Sequence, residues 1–417
     1  IITILVNYAG AILLDKHYSS RQRLWIVSLT IVLDLSFLFY FKYFNFVVDN
    51  INGVLATDFQ LLDIIMPIGI SFYTFQAMSY LIDVYRREVP AQKDVYKLAL
   101  YIVLFPQLVA GPIVKYHDVC EQIDNRTIEF KNVIIGFKRF ITGLAKKVLI
   151  ANTLAEVVDK IFAQAPENLT TGVSWLGAVA YCLQLYYDFS GYSDMAIGLG
   201  LMFGFRFLEN FNYPYISKSI TEFWRRWHIS LATWFKLYLY IPLGGNRKGA
   251  VRTYWNLFAV FLVTGIWHGA AWSYVAWGIW NGIFIVIERF FGLDKDKNDR
   301  WYVSAAKHLY AFFAIVWGMI IFRAESLSYA YEYICRMLHI DVTKHLPDYD
   351  YGVNNKFAIM LIVGLICAMP VCRNLIYIKY ERKVQRTLVN IWLFLLFFWS
   401  TISLAASTYN PFIYFRF

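Results

Sequence analysis

Residues 253–288 read TYWNLFAVFLVTGIWHGAAWSYVAWGIWNGIFIVIE, and between Arg252 and Glu288 there is no Lys, Arg, Asp or Glu. A helix needs about 20 apolar residues to cross a hydrocarbon core ~30 Å thick. The stretch is long enough for two such helices, over 253–269 and 272–290, joined by a turn at Gly269–Ser273. A surface helix of a soluble protein carries a charged face. This stretch has none, so it reads as membrane-spanning, where the backbone must be helical to satisfy its own hydrogen bonds.

The rest of the chain agrees. Of its 417 residues, 59% are A, V, I, L, M, F, W, Y or C and 16% are charged; soluble domains average roughly 45–50% and about 25%. Aromatics reach 19%, as suits a chain crossing many headgroup layers, where Trp and Tyr gather. A water-soluble enzyme, a disordered chain and a collagen-like fibre are excluded on composition. Further apolar runs lie at 25–48, 98–114, 173–204, 307–323, 356–379 and 388–407, with weaker ones at 60–83 and 132–162. The aromatic and basic region 211–245 reads as short interfacial or re-entrant helices. No internal repeat or Pro/Gly/Ser linker divides the chain, so a single membrane-embedded domain over 1–417 is expected. The sequence starts at Ile1 within an apolar run, and one or two further N-terminal membrane segments are expected before it.

Positive charge alternates with the runs. Clusters stand at Lys16, Arg21 and Arg23; at Arg86, Arg87, Lys93 and Lys97; at Arg247, Lys248 and Arg252; at Lys295, Lys297 and Arg300; and at Arg373, Lys379, Arg382, Lys383 and Arg386. Loops rich in Lys and Arg stay in the cytoplasm, so these face inward, while 163–171, the turn at 269–273 and the first 30-odd residues after Arg323 face outward. The net charge of +10 is then explained by cytoplasmic loops and anionic lipids, not by nucleic acid. The five cysteines show neither C-x-x-C nor zinc-site spacing; they read as buried thiols, and no metal is expected.

Polar groups at membrane depth are costly and therefore functional suspects. His268 lies 16 positions beyond Arg252 and 20 before Glu288, about 24 Å along a helix from the nearer charge. Gly265 and Gly269 beside it permit close approach of a backbone or ligand. An uncharged imidazole in a dry pocket makes a good general base; a hydrogen bond to a neighbouring helix is the plainer alternative. On a continuous helix, Phe223, Trp224, Trp227, Leu231, Trp234 and Phe235 would form one apolar arc with His228 at its edge and Arg225 and Arg226 turned away. Such a helix is either an interfacial anchor or, with two guanidinium groups beside a histidine, a binding face for a phosphorylated donor. Gly244-Gly245-Asn246 followed by Arg247 and Lys248 could cradle phosphate, or be a plain cytoplasmic loop. Asp188 and Asp194, with Ser190, Ser193 and Tyr192 among them, could carry protons or cations, or pair with Arg225 or Arg226 and hold the fold; the structural role is favoured.

WRRWHISLATWF (224–235), YLYIPLGGNR (238–247), GIWHGAAW (265–272) and YYDFSGYSDMAIG (186–198) resemble the membrane-bound O-acyltransferase family, nearest to its bacterial alginate O-acetyltransferase-like subgroup. MPIGISFYTFQAMSYLIDVYR (66–86), FPQLVAGPI (105–113) and NPFIYFRF (410–417) fit the same subgroup, and the likeness runs from LVNYAGAILLD (5–15) to the C-terminus. The resemblance implies an all-α polytopic membrane protein with about ten or more transmembrane helices around a tunnel. It implies that His268 is catalytic, that His228 is the second functional histidine, and that a cytoplasmic acyl thioester, acetyl-CoA, is the donor. The acceptor would be an extracytoplasmic polysaccharide, or a secreted or periplasmic acetyltransferase partner, at a bacterial cytoplasmic membrane. Two positions depart from the family pattern. Lys236-Leu237 stands where relatives carry Arg-Asp, and Asn281 where many carry histidine.

On this reading Arg225, Arg226, Asn246, Arg247 and Lys248 would draw in the donor, and His268, beside Trp267, would take the acceptor's proton, with Ser190 or Tyr192 as possible relays. Alternatives are D-alanyl transfer to teichoic acid and, on the strength of Asp188 and Asp194, a proton-coupled transporter.

Overall fold

The computed structural model describes residues 1–16, 18–109, 111–293, 299–339, 349–372 and 383–407, with side chains of the last segment described from Thr387. All regular structure among them is helical. Lys295, Lys297, the basic residues from Arg373 to Arg386 and the NPFIYFRF ending fall outside the described residues or side chains.

Among the described residues, three helices are long and apolar enough to span a bilayer by those criteria alone: Ser20–Leu55, Trp301–Arg323 and Thr387–Ala406. Thr171–Met202, Ala250–His268 and Trp272–Phe291 have the length, but Tyr, Trp, Gly and Asn replace aliphatic residues along them. Among the described residues, length and apolarity therefore do not confirm the expected count of ten or more. Three expected runs are interrupted, each by proline. The helix from Val95 stops at Val103, and Pro106 and Pro112 break the remainder of 98–114. The run from 60 becomes helical only at Ile70, after Pro67 and a left-handed Gly69. Asn355–Cys367 ends short of Pro370. Proline lacks the N–H and clashes with the preceding turn.

Small residues set the packing around the site. Gly143 lies against Gly191 and Gly136 against Gly198, so that backbone meets backbone between Phe130–Ala145 and Thr171–Met202. Gly265 likewise meets Gly278, pinning Ala250–His268 to Trp272–Phe291. Without lipid-driven hydrophobic attraction between helices, such close backbone contact is what holds membrane helices together.

Asp188 and Asp194 are both ion-paired. Asp194 takes Arg139 at 2.8 Å and Lys146 at 2.6 Å, and Asp188 takes Lys147 at 2.6 Å. Their partners come from the helix packed through the glycine pairs, not from Arg225 or Arg226, because those pairs bring the two backbones within side-chain reach. The Ser190 and Ser193 hydroxyls, expected to bond these carboxylates, have no hydrogen-bond partner among the described residues. The cysteines also differ from expectation: Cys182 is buried, Cys120 and Cys367 are half-buried, and Cys335 is exposed.

Candidate functional site

His268 is the last residue of Ala250–His268, where Gly269 leaves the helix in an extended conformation. Trp267, Trp277 and Phe322 present their edges to its ring at 4.9, 5.0 and 5.1 Å. The ring is not sealed: it lines a cavity of about 80 Å³ with Lys42, Ser71, Phe72, Trp267 and the segment 66–70. Its Nδ1 and the Trp267 indole Nε1 are buried without hydrogen-bond partners among the described residues. A polar atom left unmatched in a dry site costs about 1–3 kcal/mol, and both residues line the cavity.

The continuous helix expected around His228 is broken there. Ile220–Arg226 and Ile229–Phe235 are separate, and His228 between them is left-handed at φ 44° and ψ 54°. The break is held by the segment 210–212: Asn212 N–H donates to Arg226 O at 2.8 Å, and Ile229 N–H to Asn210 O at 2.9 Å. The Asn210 side-chain oxygen accepts from the Ser230 backbone N–H (3.2 Å) and hydroxyl (2.9 Å). A backbone N–H requires an acceptor, so that atom is oxygen, and His228 Nδ1, 3.1 Å away, must donate to it. The neutral ring therefore has a bare lone pair on Nε2, and Nε2 is buried without a hydrogen-bond partner among the described residues. Phe72 joins the two histidines, with its ring 6.3 Å from His228 and 5.7 Å from Trp267.

A second cavity, of about 340 Å³, lies along the same helix. Arg225, Lys236, Asn246 and Arg289 line it with charge and amide, and Trp224, Leu231, Phe235, Val260, Phe261 and Ile285 line it with apolar surface. It reaches Thr264, four residues before His268 and about 6 Å from it along the helix. Between cavity and histidine stands an aromatic partition. Trp224 donates its Nε1–H to Asn281 at 3.0 Å and packs 5.5 Å from Trp277, which in turn touches His268. Asn281 thus acts as the acceptor that fixes this partition, and its amide donates to Trp277 O at 2.8 Å.

The proposed donor residues divide. Arg225 and Asn246 line the cavity. Arg226 instead pairs with Glu222 at 2.9 Å and donates to Asn212 O, while Arg247 and Lys248 are exposed on the adjoining loop. Four contributors escaped the sequence reading. Lys42 and Asn210 adjoin the histidines. Arg289 joins the cavity rim. Glu288 is fully buried and accepts from Ile220 N–H (2.5 Å), Thr221 N–H (2.8 Å) and the Thr221 hydroxyl (2.6 Å), fixing the helix that carries Arg225. Lys42 carried a usable signal, a lone cation inside the apolar run 25–48; Asn210 carried none.

Comparison with known proteins adds a lineage. The family model described as "MBOAT, membrane-bound O-acyltransferase family" matches residues 92–324. The chain is 44% identical to the "Probable alginate O-acetylase AlgI" of Pseudomonas putida, over 94% of this chain and 84% of that protein. It is 50% identical to the protein of the same description from Pseudomonas aeruginosa, over 74% of this chain and 59% of that one. It is 33% identical to the "Peptidoglycan O-acetyltransferase" of Helicobacter pylori, over 91% of this chain and 78% of that protein.

Proposed function

The chain belongs to the membrane-bound O-acyltransferase family, and on that premise we propose that it moves an acetyl group from a cytoplasmic acyl thioester, acetyl-CoA, to a hydroxyl on the far side of a bacterial cytoplasmic membrane. The acceptor is an extracytoplasmic polysaccharide, or a secreted or periplasmic acetyltransferase partner that passes the group on. The relatives' descriptions, alginate O-acetylase and peptidoglycan O-acetyltransferase, support a polysaccharide destination.

The observation that carries this reading is His268 at the wall of one cavity, with a second, unlike cavity reaching Thr264 about one helical turn before it. The larger cavity has a cationic rim suited to a donor's phosphates and an apolar lining. The smaller one holds the imidazole at its wall. Sidedness is supported independently. No Lys or Arg occurs from residue 44 to 85, and Trp272 in the outward turn donates to Asn50 at 2.9 Å. The end of Ser20–Leu55 and the 269–273 turn thus share one face, opposite the basic loop at 247–252. About ten or more spanning helices around a through-tunnel would follow from this arrangement.

In the transfer, His268 takes the proton of the acceptor hydroxyl as its oxygen attacks the thioester carbonyl. A C–O bond forms, the C–S bond breaks, and the proton passes to the departing thiolate. His228, whose ring stacks on Phe72 of the cavity wall, is the second functional histidine of this reading, and the proton balance of the transfer is complete through His268. General-base catalysis contributes about 10²–10⁴ in rate. The test is purified His268→Ala in proteoliposomes with radiolabelled acetyl-CoA: transfer should fall about 10²–10⁴-fold, and wild-type transfer would rule the base role out.

A further inference from the structure

Ala250–His268 ends inside the protein with no left-handed glycine cap, since Gly269 is extended at φ −170°. The last carbonyls of a helix have no partner within it, and the hydrocarbon region offers no water to replace one. Two residues from the opposite end of the sequence supply the partners. Lys42 Nζ donates to Trp267 O and His268 O, each at 2.8 Å, and to the Ser71 hydroxyl at 3.3 Å. The Tyr43 hydroxyl donates to Ile266 O at 2.8 Å. Lys42 and Tyr43 belong to a π-helical turn, Phe39–Tyr43, inside the long Ser20–Leu55 helix. The extra residue of such a turn re-aims side chains, and these turns recur at functional sites. The ammonium also lies 5.9 Å from the Trp267 ring centre and lines the same cavity as His268. A cation at a helix C-terminus opposes the negative end of the helix dipole, so the bond geometry and the charge act together.

We propose that Lys42 is a positioning residue for His268: its ammonium closes the carboxyl end of the His268 helix within the membrane and thereby holds the imidazole at the cavity wall. The consequence for transfer rests on the function proposed above, whereas the consequence for the position of the ring does not. Lys42 Nζ bonds within the protein, to Trp267 O, His268 O and the Ser71 hydroxyl, as a clamp does. It stands apart from the basic-rimmed cavity, so the donor's binding does not depend on it.

The experiment compares wild type, Lys42→Met and Lys42→Arg as purified full chains, by acetyl transfer and by modification of individual histidines with diethyl pyrocarbonate, read by peptide mass spectrometry. K42M should lose at least tenfold in kcat with the donor KM within twofold, and its His268 should be modified at least fivefold faster while His228 stays within twofold. K42R, which keeps charge and donors, should recover most of both effects. Wild-type kcat in K42M, unchanged His268 modification in K42M, or a K42R no better than K42M would each overturn the proposal. Where K42M does not purify in folded form, Lys42→Gln is read the same way. A wild-type chain without transferase activity would defeat the functional reading and leave the modification arm to decide the role of Lys42.

Discussion

The Nδ1 of His228 stands 3.1 Å from the side-chain oxygen of Asn210, and that oxygen also receives two hydrogen bonds from Ser230. One amide thereby sets the tautomer of a buried imidazole and stabilises a left-handed residue between two short helices. A non-glycine residue in that conformation costs of order 1–3 kcal/mol and persists where surrounding contacts over-determine it.

Asn210→Ala removes the acceptor, frees the ring to flip and leaves Nδ1–H unmatched. Acetyl transfer should fall about 10- to 100-fold, in line with a lost buried hydrogen bond of about 1–3 kcal/mol. Asn210→Asp retains an acceptor oxygen and should keep more activity than the alanine variant. Equal kcat in wild type and N210A would remove Asn210 from the site.

The cationic rim should act on the donor and not on the chemistry. Arg225→Gln and Arg289→Gln should each raise the acetyl-CoA KM about 3- to 10-fold, the scale of a partly exposed charge-assisted bond, and the increase should shrink as ionic strength rises. Arg247→Gln and Lys248→Gln, on the exposed loop, should change KM less. The reverse ranking would move donor binding from the cavity to the loop.

Gly265→Ala should destabilise the protein, since a Cβ there meets the Tyr274 carbonyl and the Gly278 backbone. Overpacking of this kind costs about 1–3 kcal/mol and should lower the midpoint of thermal aggregation in detergent by several degrees. Gly53→Ala, with open space around the added carbon, should leave it unchanged. An unshifted midpoint for Gly265→Ala would mean that the helix pair tolerates separation.

Single cysteines introduced at 58 and 272 should react with a membrane-impermeant maleimide from outside intact cells, and one at 249 only after the cytoplasmic face is opened. Labelling of 249 and 272 from the same side would refute the arrangement of donor and acceptor faces.

Much was legible along the chain. The uncharged stretch after Arg252 announced a helix pair turning near Gly269, and the structure places those helices at Ala250–His268 and Trp272–Phe291. His268 stood out because no charge lies near it in sequence, and it does line a cavity. The arc drawn around His228 failed because helical periodicity assumes an unbroken backbone, whereas the segment 210–212 supplies hydrogen bonds that make a break affordable.

Apolar run length is a local property, and lipid reads it locally; it points by itself to a helical, membrane-bound chain. Which polar groups meet is a different matter. Lys42 and His268 are separated by more than two hundred positions, and Asp194 is matched by Arg139 and Lys146 instead of the arginines nearest it in motif. In a medium without water an unmatched charge is costly, and which partner matches it is decided by how closely glycine-lined helices approach, a distance set only when the helices pack.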